Sequence, residues 1–262
     1  MCLIVVAWRA RADMPLVVAA NRDEWRERPA EPARWWPDHP DLLAGRDLQA
    51  GGTWMGITRG GRFAAVTNYR DPSEKRSTAR SRGGLVTDFL LASESPARFL
   101  ANLAARASEY NGFNLILGDG ASLFYYGSRE GTLRAIEPGV HGLSNHLLDE
   151  PWPKVVRGRA RMSASLAAPD PAPQLFEMLS DTSPARDDEL PATGVGIDWE
   201  RRLSSALITG EEYGTRASTV LATSSAGEVS MEERTLDAEG RVSGIAAERF
   251  GLQRGVLLHA GE

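Results

Sequence analysis

Cys2 is the residue of this sequence whose type and position point most directly to chemistry. Because a small residue follows the initiator methionine, we expect the methionine to be removed, which leaves an α-amine and a thiol on one residue. The α-amine has an intrinsic pKa of about 8, so Cys2 would supply both a nucleophile and a general base. The structural alternative is that Cys2 is a small apolar residue at the start of a buried strand.

The segment Asn21-Arg22-Asp23-Glu24 holds the residue types that such a thiol needs nearby. A guanidinium close to a thiol lowers the thiol pKa and enriches the reactive thiolate, which is the role we assign to Arg22. Asp23 or Glu24 would accept hydrogen bonds from the terminal ammonium or hold Arg22 in place. The alternative is a solvated charge cluster at a strand end, which is how most such runs behave.

Two strands are predicted to bring these groups together. The run from Leu3 to Trp8 is continuously apolar and rich in β-branched residues, and the run from Leu16 to Ala20 repeats that pattern after a turn. If the two runs pair as an antiparallel hairpin, the second ends beside Cys2. The geometry alone would then place a thiol beside Arg22 and two carboxylates.

The remaining pattern predicts an α+β layered sandwich of mainly antiparallel strands in a single domain spanning residues 1–262, because the helices are segregated from the strands. The segment from Arg28 to Pro40 is expected to be an irregular loop packed by its tryptophans. The other predicted strands are 51–57, 63–68, 113–117, 123–126, 140–145, 206–209 and 218–223, and the predicted helices are 85–90, 96–104, 152–166 (displaying Lys154, Arg157, Arg159 and Arg161) and 175–179.

Composition excludes several classes of function. The net charge of -5 argues against broad nucleic-acid binding, and there is no glycine-rich phosphate-binding motif. No stretch is long and apolar enough for a membrane helix, so integral membrane association is not expected. One cysteine permits no internal disulfide and fits a reducing compartment, so we expect a cytoplasmic protein. No spacing indicates a metal site.

A series of motifs resembles the NRDE-motif family, also called the transport and Golgi organisation family. The resemblance covers nearly the whole chain, and only about 169–188 and the last twenty or so residues lack clear markers. The motifs are Met1-Cys2-Leu3-Ile4, Ala20-Asn21-Arg22-Asp23-Glu24, Gly52-Thr53-Trp54-Met55-Gly56, Ala65-Val66-Thr67-Asn68-Tyr69-Arg70, Ser81-Arg82-Gly83-Gly84-Leu85-Val86, Gly112-Phe113-Asn114-Leu115, Gly142-Leu143-Ser144-Asn145, Leu190-Pro191-Ala192-Thr193-Gly194-Val195 and Tyr213-Gly214-Thr215-Arg216-Ala217-Ser218-Thr219-Val220.

The resemblance implies an N-terminal-nucleophile hydrolase fold, a four-layer αββα sandwich, related to cysteine amidases of the choloylglycine and penicillin acylase kind. It implies that Cys2 attacks an amide, Arg22 tunes the thiol and Asp23 holds the terminal amine. Asn68 and Asn145 would donate to the oxyanion, and Arg216 would be a second supporting cation.

The spacing departs from those amidases, which usually place two residues between that arginine and that aspartate. Arg22 and Asp23 are adjacent here, and neighbours in a strand face opposite sides. Both can therefore face Cys2 only if the strand ends or bulges at this point. Glu24 lies on the same face as Arg22 and is the alternative partner.

Three kinds of function follow as hypotheses. The first is a cysteine amidohydrolase that acts on a small amide or acylated substrate and requires no cofactor. The second, implied by the resemblance alone, is a carrier of haem or an acyl-CoA, with haem as transported ligand. The histidines stand in no haem-attachment motif, and they are His39, His141, His146 and His259. Of these, His141 and His146 flank Asn145 and are the best-placed pair for binding haem. The third is a pure interaction protein. The residues expected around a ligand are Asn21, Glu24, Trp25 and Trp54.

Overall fold

The computed structural model describes residues 2–74 and 76–253, which form two antiparallel β-sheets. The six-stranded sheet contains, in spatial order, β10 (Gly139–Leu143), β1 (Cys2–Arg11), β2 (Met14–Trp25), β11 (Tyr213–Thr223), β12 (Glu228–Leu236) and β13 (Val242–Gly251). The seven-stranded sheet contains β3 (Ala30–Trp36), β4 (His39–Asp47), β5 (Met55–Thr58), β6 (Phe63–Asn68), β7 (Phe113–Gly118), β8 (Leu123–Gly127) and β9 (Thr132–Ala135).

Four layers follow from the way the strands distribute their apolar residues. Alternate side chains such as Ile4 and Val18 pack between the sheets against Ile57 and Ile116, as the period of two in a strand requires. The intervening side chains, such as Val5, face outward and pack against helices. The outer face of the seven-stranded sheet is also covered by helices. The predicted fold class, an α+β four-layer αββα sandwich, is therefore confirmed.

Two of the helices begin at signals that are visible in the local sequence. Ser95 caps a helix by accepting a hydrogen bond from the Arg98 backbone N–H at 3.4 Å, and Pro96 takes the first position. Pro153 likewise stands at the start of its helix. In the described residues the helices are α1 (Gly83–Leu91) and α2 (Pro96–Ala104) on the seven-stranded sheet, α3 (Pro153–Ser165) and α4 (Ala172–Leu179) on the six-stranded sheet, and α5 (Ile197–Leu203).

The segment from Arg28 to Pro40 is not an irregular loop, so that prediction was wrong. Most of it belongs to β3 and to the start of β4, which pair as an antiparallel hairpin. Pro32 is tolerated because β3 is the edge strand of its sheet, where the lost N–H leaves the ladder intact. Trp36 does pack inward, since only 2% of it is exposed.

Other sequence predictions also need correction. Residues 206–209 form no strand, and the strand predicted over 51–57 begins only at Met55. The sequence patterns gave no indication of β9, β12, β13 and α5. In β12 the charged residue Glu233 occupies a buried position, so the strand lacks the regular alternation of apolar and polar residues that predicts a strand. Lys154 is not displayed on the surface of α3 but is buried, 2% exposed.

The single-domain prediction covers residues 1–262 and stays a prediction. His259 lies outside the described residues. None of the helices within the described ranges is long and apolar enough to span a membrane.

Gly52 makes a close backbone contact that fixes the start of α1. A Cβ atom on Gly52 would lie 2.6 Å from the carbonyl carbon of Gly83, whereas a Cβ atom on Gly84 would meet nothing within 4 Å. We expect Gly52→Ala to lower the free energy of unfolding by about 1–3 kcal/mol, because backbone must move. Gly84→Ala is the matched control and should stabilise by up to about 1 kcal/mol through helix propensity. Urea unfolding measures both, and equal stabilities would contradict the contact.

Candidate active site

Cys2 and Arg22 are direct partners in the antiparallel pairing of β1 with β2. Ile4 and Val6 follow Cys2 at intervals of two and face the space between the sheets, so Cys2 lies on that same face. Its side chain lines a cavity of about 600 Å³ that opens at this end of the sandwich. The hairpin predicted from the sequence is confirmed, and it brings the thiol next to the guanidinium.

The cavity lies between the two sheets and is lined from both. Cys2, Arg22, Glu24 and Arg216 come from the six-stranded sheet. The opposite wall comes from the seven-stranded sheet and the segment that leads into α1. It includes Thr53, Trp54, Asn68, Arg76, Arg80, Arg82 and Gly83.

The segment Asn21-Arg22-Asp23-Glu24 divides its side chains between the two faces of β2. Arg22 and Glu24 face the cavity, whereas Asn21 and Asp23 face the helical layer. The Asn21 amide donates 2.8 Å hydrogen bonds to the carbonyls of Leu179 and Ala206 and accepts one from the Ser218 hydroxyl. Asn21 therefore links β2 to the helical layer, and it does not line the cavity.

Asp23 lies in a buried polar pocket beneath the thiol. The Thr215 hydroxyl donates to its carboxylate at 2.7 Å. Burial raises the pKa of Asp23, and the positive charge of Lys154 opposes that rise most strongly. Burial in turn lowers the pKa of Lys154 to about 8, against the attraction of Asp23. The two buried charges therefore depend on each other.

Arg22 is held by two carboxylates on the cavity side. Its Nη2 lies 3.9 Å from Glu24 Oε2 and 3.8 Å from Asp47 Oδ2. Asp47 also accepts a 2.6 Å hydrogen bond from Arg28 Nε. Glu24 is thus the neighbour on the face of Arg22, as its spacing predicted. Asp47 was missed because it ends β4, and the prolines of the β3–β4 hairpin led the sequence analysis to predict a loop there.

Burial raises the pKa of the Cys2 thiol, and the charge of Asp23 raises it further. The backbone N–H of Asp23, which faces the thiol, and the guanidinium of Arg22 both lower it. The thiol is therefore mostly protonated at neutral pH in this environment. A base is needed to activate it, since the thiolate is the nucleophile.

Asn68 and Asn145 lie side by side next to Cys2. Asn145 Nδ2 donates to the Asn68 carbonyl at 2.9 Å, and the Ser144 hydroxyl lies 3.0 Å from the Cys2 carbonyl oxygen. Asn68 lines the cavity, but Asn145 is fully buried behind it. The structure thus brings both asparagines to the thiol end of β1, with Asn68 in front.

Arg216 owes its position to a β-bulge. Ala217 pairs with Arg22 and Thr215 pairs with Asp23, so Arg216 is the extra residue of β11. Its Nη1 donates to the carbonyls of Trp25, Arg26 and Arg28 at 3.0, 3.2 and 2.8 Å. Arg216 therefore fixes the chain that follows β2, and it also lines the cavity.

Of the aromatic residues and histidines predicted to bind a ligand, some line the cavity and others lie outside it. Trp54 lines the cavity, but Trp25 is 44% exposed and packs on Tyr213 and Trp199 outside it. His141 hydrogen-bonds Asp149, and His146 packs between Tyr69 and Trp152. Of the histidines in the described part of the chain, none lines the cavity. Nor do the described residues form a cluster of three or more metal-ligating side chains.

Sequence reasoning missed three residues that matter for the charge of the site: Asp47, Arg82 and the buried Lys154. Arg82 stands in a motif, Ser81-Arg82-Gly83-Gly84, that carried the family resemblance but no chemical role. The motif could therefore have pointed to Arg82 as a residue of the site. Lys154 had no such signal, because its position on α3 resembles that of the exposed arginines around it.

The fold and the site together define a class: a four-layer αββα sandwich protein with a cysteine at the start of its first strand, facing a charged cavity. The chain belongs to the family described as Transport and Golgi organisation 2, whose sequence model matches residues 1–238.

Relatives support that assignment along most of the chain. The chain is 37% identical over 246 residues to a Transport and Golgi organization protein 2 homolog of Bos taurus, covering 84% of this chain and 86% of that protein. It is 33% identical over 239 residues to the Homo sapiens homolog, with the same coverage.

Two solved structures are similar at much lower identity. One is a mutant C2A conjugated bile acid hydrolase from Clostridium perfringens, with 8% identity, a TM-score of 0.49 and coverage of 97% of this chain and 98% of that one. The other is a Caenorhabditis elegans N-acylethanolamine-hydrolyzing acid amidase ortholog, with 10% identity, a TM-score of 0.43 and coverage of 84% and 92%.

The charges around Cys2 predict opposite effects of two substitutions on the thiol. Arg22→Gln removes a positive charge that lowers the pKa of Cys2, so the pKa should rise. Asp23→Asn removes a negative charge that raises it, so the pKa should fall. Because Cys2 is the only cysteine, the rate of iodoacetamide alkylation against pH measures this directly.

At neutral pH we expect Arg22→Gln to react roughly threefold or more slowly than the parent, since less thiolate is present. The matched control is Arg98→Gln, an equal loss of charge at an exposed position of α2 that does not line the cavity. Midpoints that move in the same direction in Arg22→Gln and Asp23→Asn would contradict the electrostatic account.

Proposed function

We propose that this protein is a cysteine amidohydrolase that cleaves the C–N amide bond of a small acylated substrate, with Cys2 as nucleophile. The observation that carries the proposal is the pairing of Cys2 with Arg22 on the cavity side of β1 and β2. The cavity of about 600 Å³ falls within the size range of small-molecule sites. The family resemblance supports the same reaction type.

The proposed reaction needs only water as co-reactant. The Cys2 α-amine takes the thiol proton while sulfur attacks the amide carbonyl carbon, which gives a tetrahedral oxyanion. The ammonium then passes that proton to the leaving nitrogen as the C–N bond breaks, which releases an amine and leaves a thioester on Cys2. Water attacks the thioester with the α-amine as base, and the carboxylic acid departs as the thiol is restored.

The surrounding residues take supporting roles in this proposal. Asp23 holds the α-ammonium from the buried side, and Arg22, anchored by Glu24 and Asp47, favours the thiolate. Asn68 is the better-placed oxyanion donor because it lines the cavity, and Asn145 orients it through the Asn68 carbonyl. A preorganised donor of this kind contributes about 3 kcal/mol to the transition state.

The first test is the intact mass of protein expressed without an N-terminal tag. The proposal expects the loss of one methionine, because the α-amine of Cys2 must be exposed to act as base. The same preparation is then tested with N-acyl aminomethylcoumarins, with acyl chains from acetyl to palmitoyl. Turnover should fall about a thousandfold or more in Cys2→Ala, since the nucleophile is lost.

Arg98→Gln serves as the control, because Arg98 lies on α2 and does not line the cavity. Cys2→Ser retains a weaker nucleophile and should keep a small fraction of the activity. Turnover in Cys2→Ala at the parent rate would reject the amidohydrolase. Retention of Met1 in active protein would reject the α-amine as base.

A second candidate is a carrier of haem or a long-chain acyl-CoA in the same cavity, and the charge of the lining favours it. The lining carries more cations than anions, and both ligands bear anionic groups, which guanidinium groups bind well. The cations are Arg22, Arg28, Arg46, Arg76, Arg80, Arg82 and Arg216, and the side-chain anions are Glu24, Glu31, Asp47 and Glu233.

The carrier predicts saturable, roughly stoichiometric binding of haemin or palmitoyl-CoA by the parent protein. Arg22→Gln should weaken binding about tenfold, as expected for loss of one hydrogen-bonded charge, and Arg98→Gln should leave it unchanged. Fluorescence titration and calorimetry measure both ligands. Flat titrations with both would eliminate this candidate while leaving the hydrolase test unaffected.

A further inference from the structure

Three arginines of the cavity lining, Arg76, Arg82 and Arg216, have no carboxylate within ion-pair distance among the described side chains of residues 2–73 and 76–253. The other arginines of the lining differ, because each lies within 4 Å of a carboxylate. Arg216 donates to three main-chain carbonyls of one stretch, residues 25–28, and so has a structural task. Arg76 and Arg82 remain to be explained.

Arg76 and Arg82 are both held against one segment, residues 108–112, by backbone carbonyls. Arg76 Nη2 donates to the carbonyls of Ser108 and Tyr110 at 2.7 and 2.6 Å. Arg82 Nη1 donates to the carbonyl of Gly112 at 3.1 Å. Each guanidinium is thus positioned through one terminal nitrogen, and carbonyls do not neutralise its charge.

The remaining N–H groups of a guanidinium form a planar fork that matches carboxylate and phosphate oxygens. Arg76 is exposed and therefore lies toward the mouth of the cavity, whereas Arg82 is half-buried and lies deeper. Arg82 lines the same cavity as Glu24 and Cys2, and burial lowers the pKa of its guanidinium. A charge that is desolvated without an ion-pair partner gains most when an anion binds.

We propose that Arg82 and Arg76 form an anion-binding subsite beside Cys2, which selects ligands that carry a carboxylate or phosphate group. The inference rests on the proposed function only in naming a substrate class: an acylated amide with an anionic group close to the bond that is cleaved. Arg82 is the specificity-determining residue, and Arg76 attracts the anion at the mouth.

Alkylation of the single cysteine tests the subsite without any turnover. Iodoacetate carries a carboxylate and iodoacetamide is its neutral analogue, so the ratio of their rates at Cys2 measures local attraction for anions. The ratio is normalised to that of N-acetylcysteine in the same buffer. We expect a normalised ratio of about ten at low salt, because focused positive potential raises local anion concentration.

The ratio should fall about threefold or more in Arg82→Gln, by less in Arg76→Gln, and stay unchanged in Arg98→Gln. Arg82→Lys should keep part of it, since the charge remains but the fork is lost. Iodoacetamide alone reports any change in the thiolate fraction, so an effect on thiol pKa is separated from anion attraction. An equal ratio in Arg82→Gln and Arg98→Gln would overturn the proposal.

Protection experiments distinguish the two anion sources. Inorganic phosphate and hexanoate are each titrated against iodoacetamide labelling, and saturable protection that Arg82→Gln weakens assigns the group to phosphate or carboxylate. If Cys2 resists both alkylating reagents, calorimetry is used to measure the affinities of hexyl phosphate and hexanoate for the parent and for Arg82→Gln. Equal affinities in the two proteins would overturn the proposal. Anion preference without amide turnover would leave the subsite standing and reject only the hydrolase.

Discussion

The site depends on one constraint, the pairing of β2 with strands on both sides. β1 fixes Cys2 opposite Arg22, and β11 fixes Thr215 opposite Asp23. Since a strand alternates its faces, this double pairing sends Arg22 and Glu24 into the cavity and Asn21 and Asp23 toward the helices. A shift of one residue would exchange the two sets, and the thiol would face a different chemistry.

Charges buried beneath the thiol make that arrangement costly to disturb. Asp23 is close to Lys154, and Arg70 forms a buried ion pair with Glu200, whose other oxygen accepts from the Thr193 hydroxyl at 2.6 Å. Buried ions are tolerated only when partners replace water, so each group requires the others. The helical layer therefore does more than cover the sheet, because α3 and α5 carry the charges that balance the residues beneath Cys2.

The cavity combines a buried thiol, whose pKa is raised by burial, with several arginines in its lining, and both proposals arise from that combination. The proposed hydrolysis would use the thiol, with a base supplied by its own residue, whereas the proposed anion recognition would use guanidinium groups held by carbonyls. The same wall serves a bound substrate or a carried ligand. The two proposals differ in one requirement: the hydrolase needs a free α-amine on Cys2 and the carrier does not, and that amine depends on processing and not on fold.

The sequence by itself determined the first hairpin, the main helices, the layered α+β class and the family, because periodicity and short motifs are local. It also determined that Arg22 and Glu24 share a face, since alternation needs no tertiary information. Only the tertiary structure decided that Asp47 anchors Arg22, that Lys154 is buried beside Asp23, and that Arg82 lines the same cavity as the thiol. Those contacts join strands and helices far apart in the chain, and a charged residue on a helix gives no local sign of a buried partner.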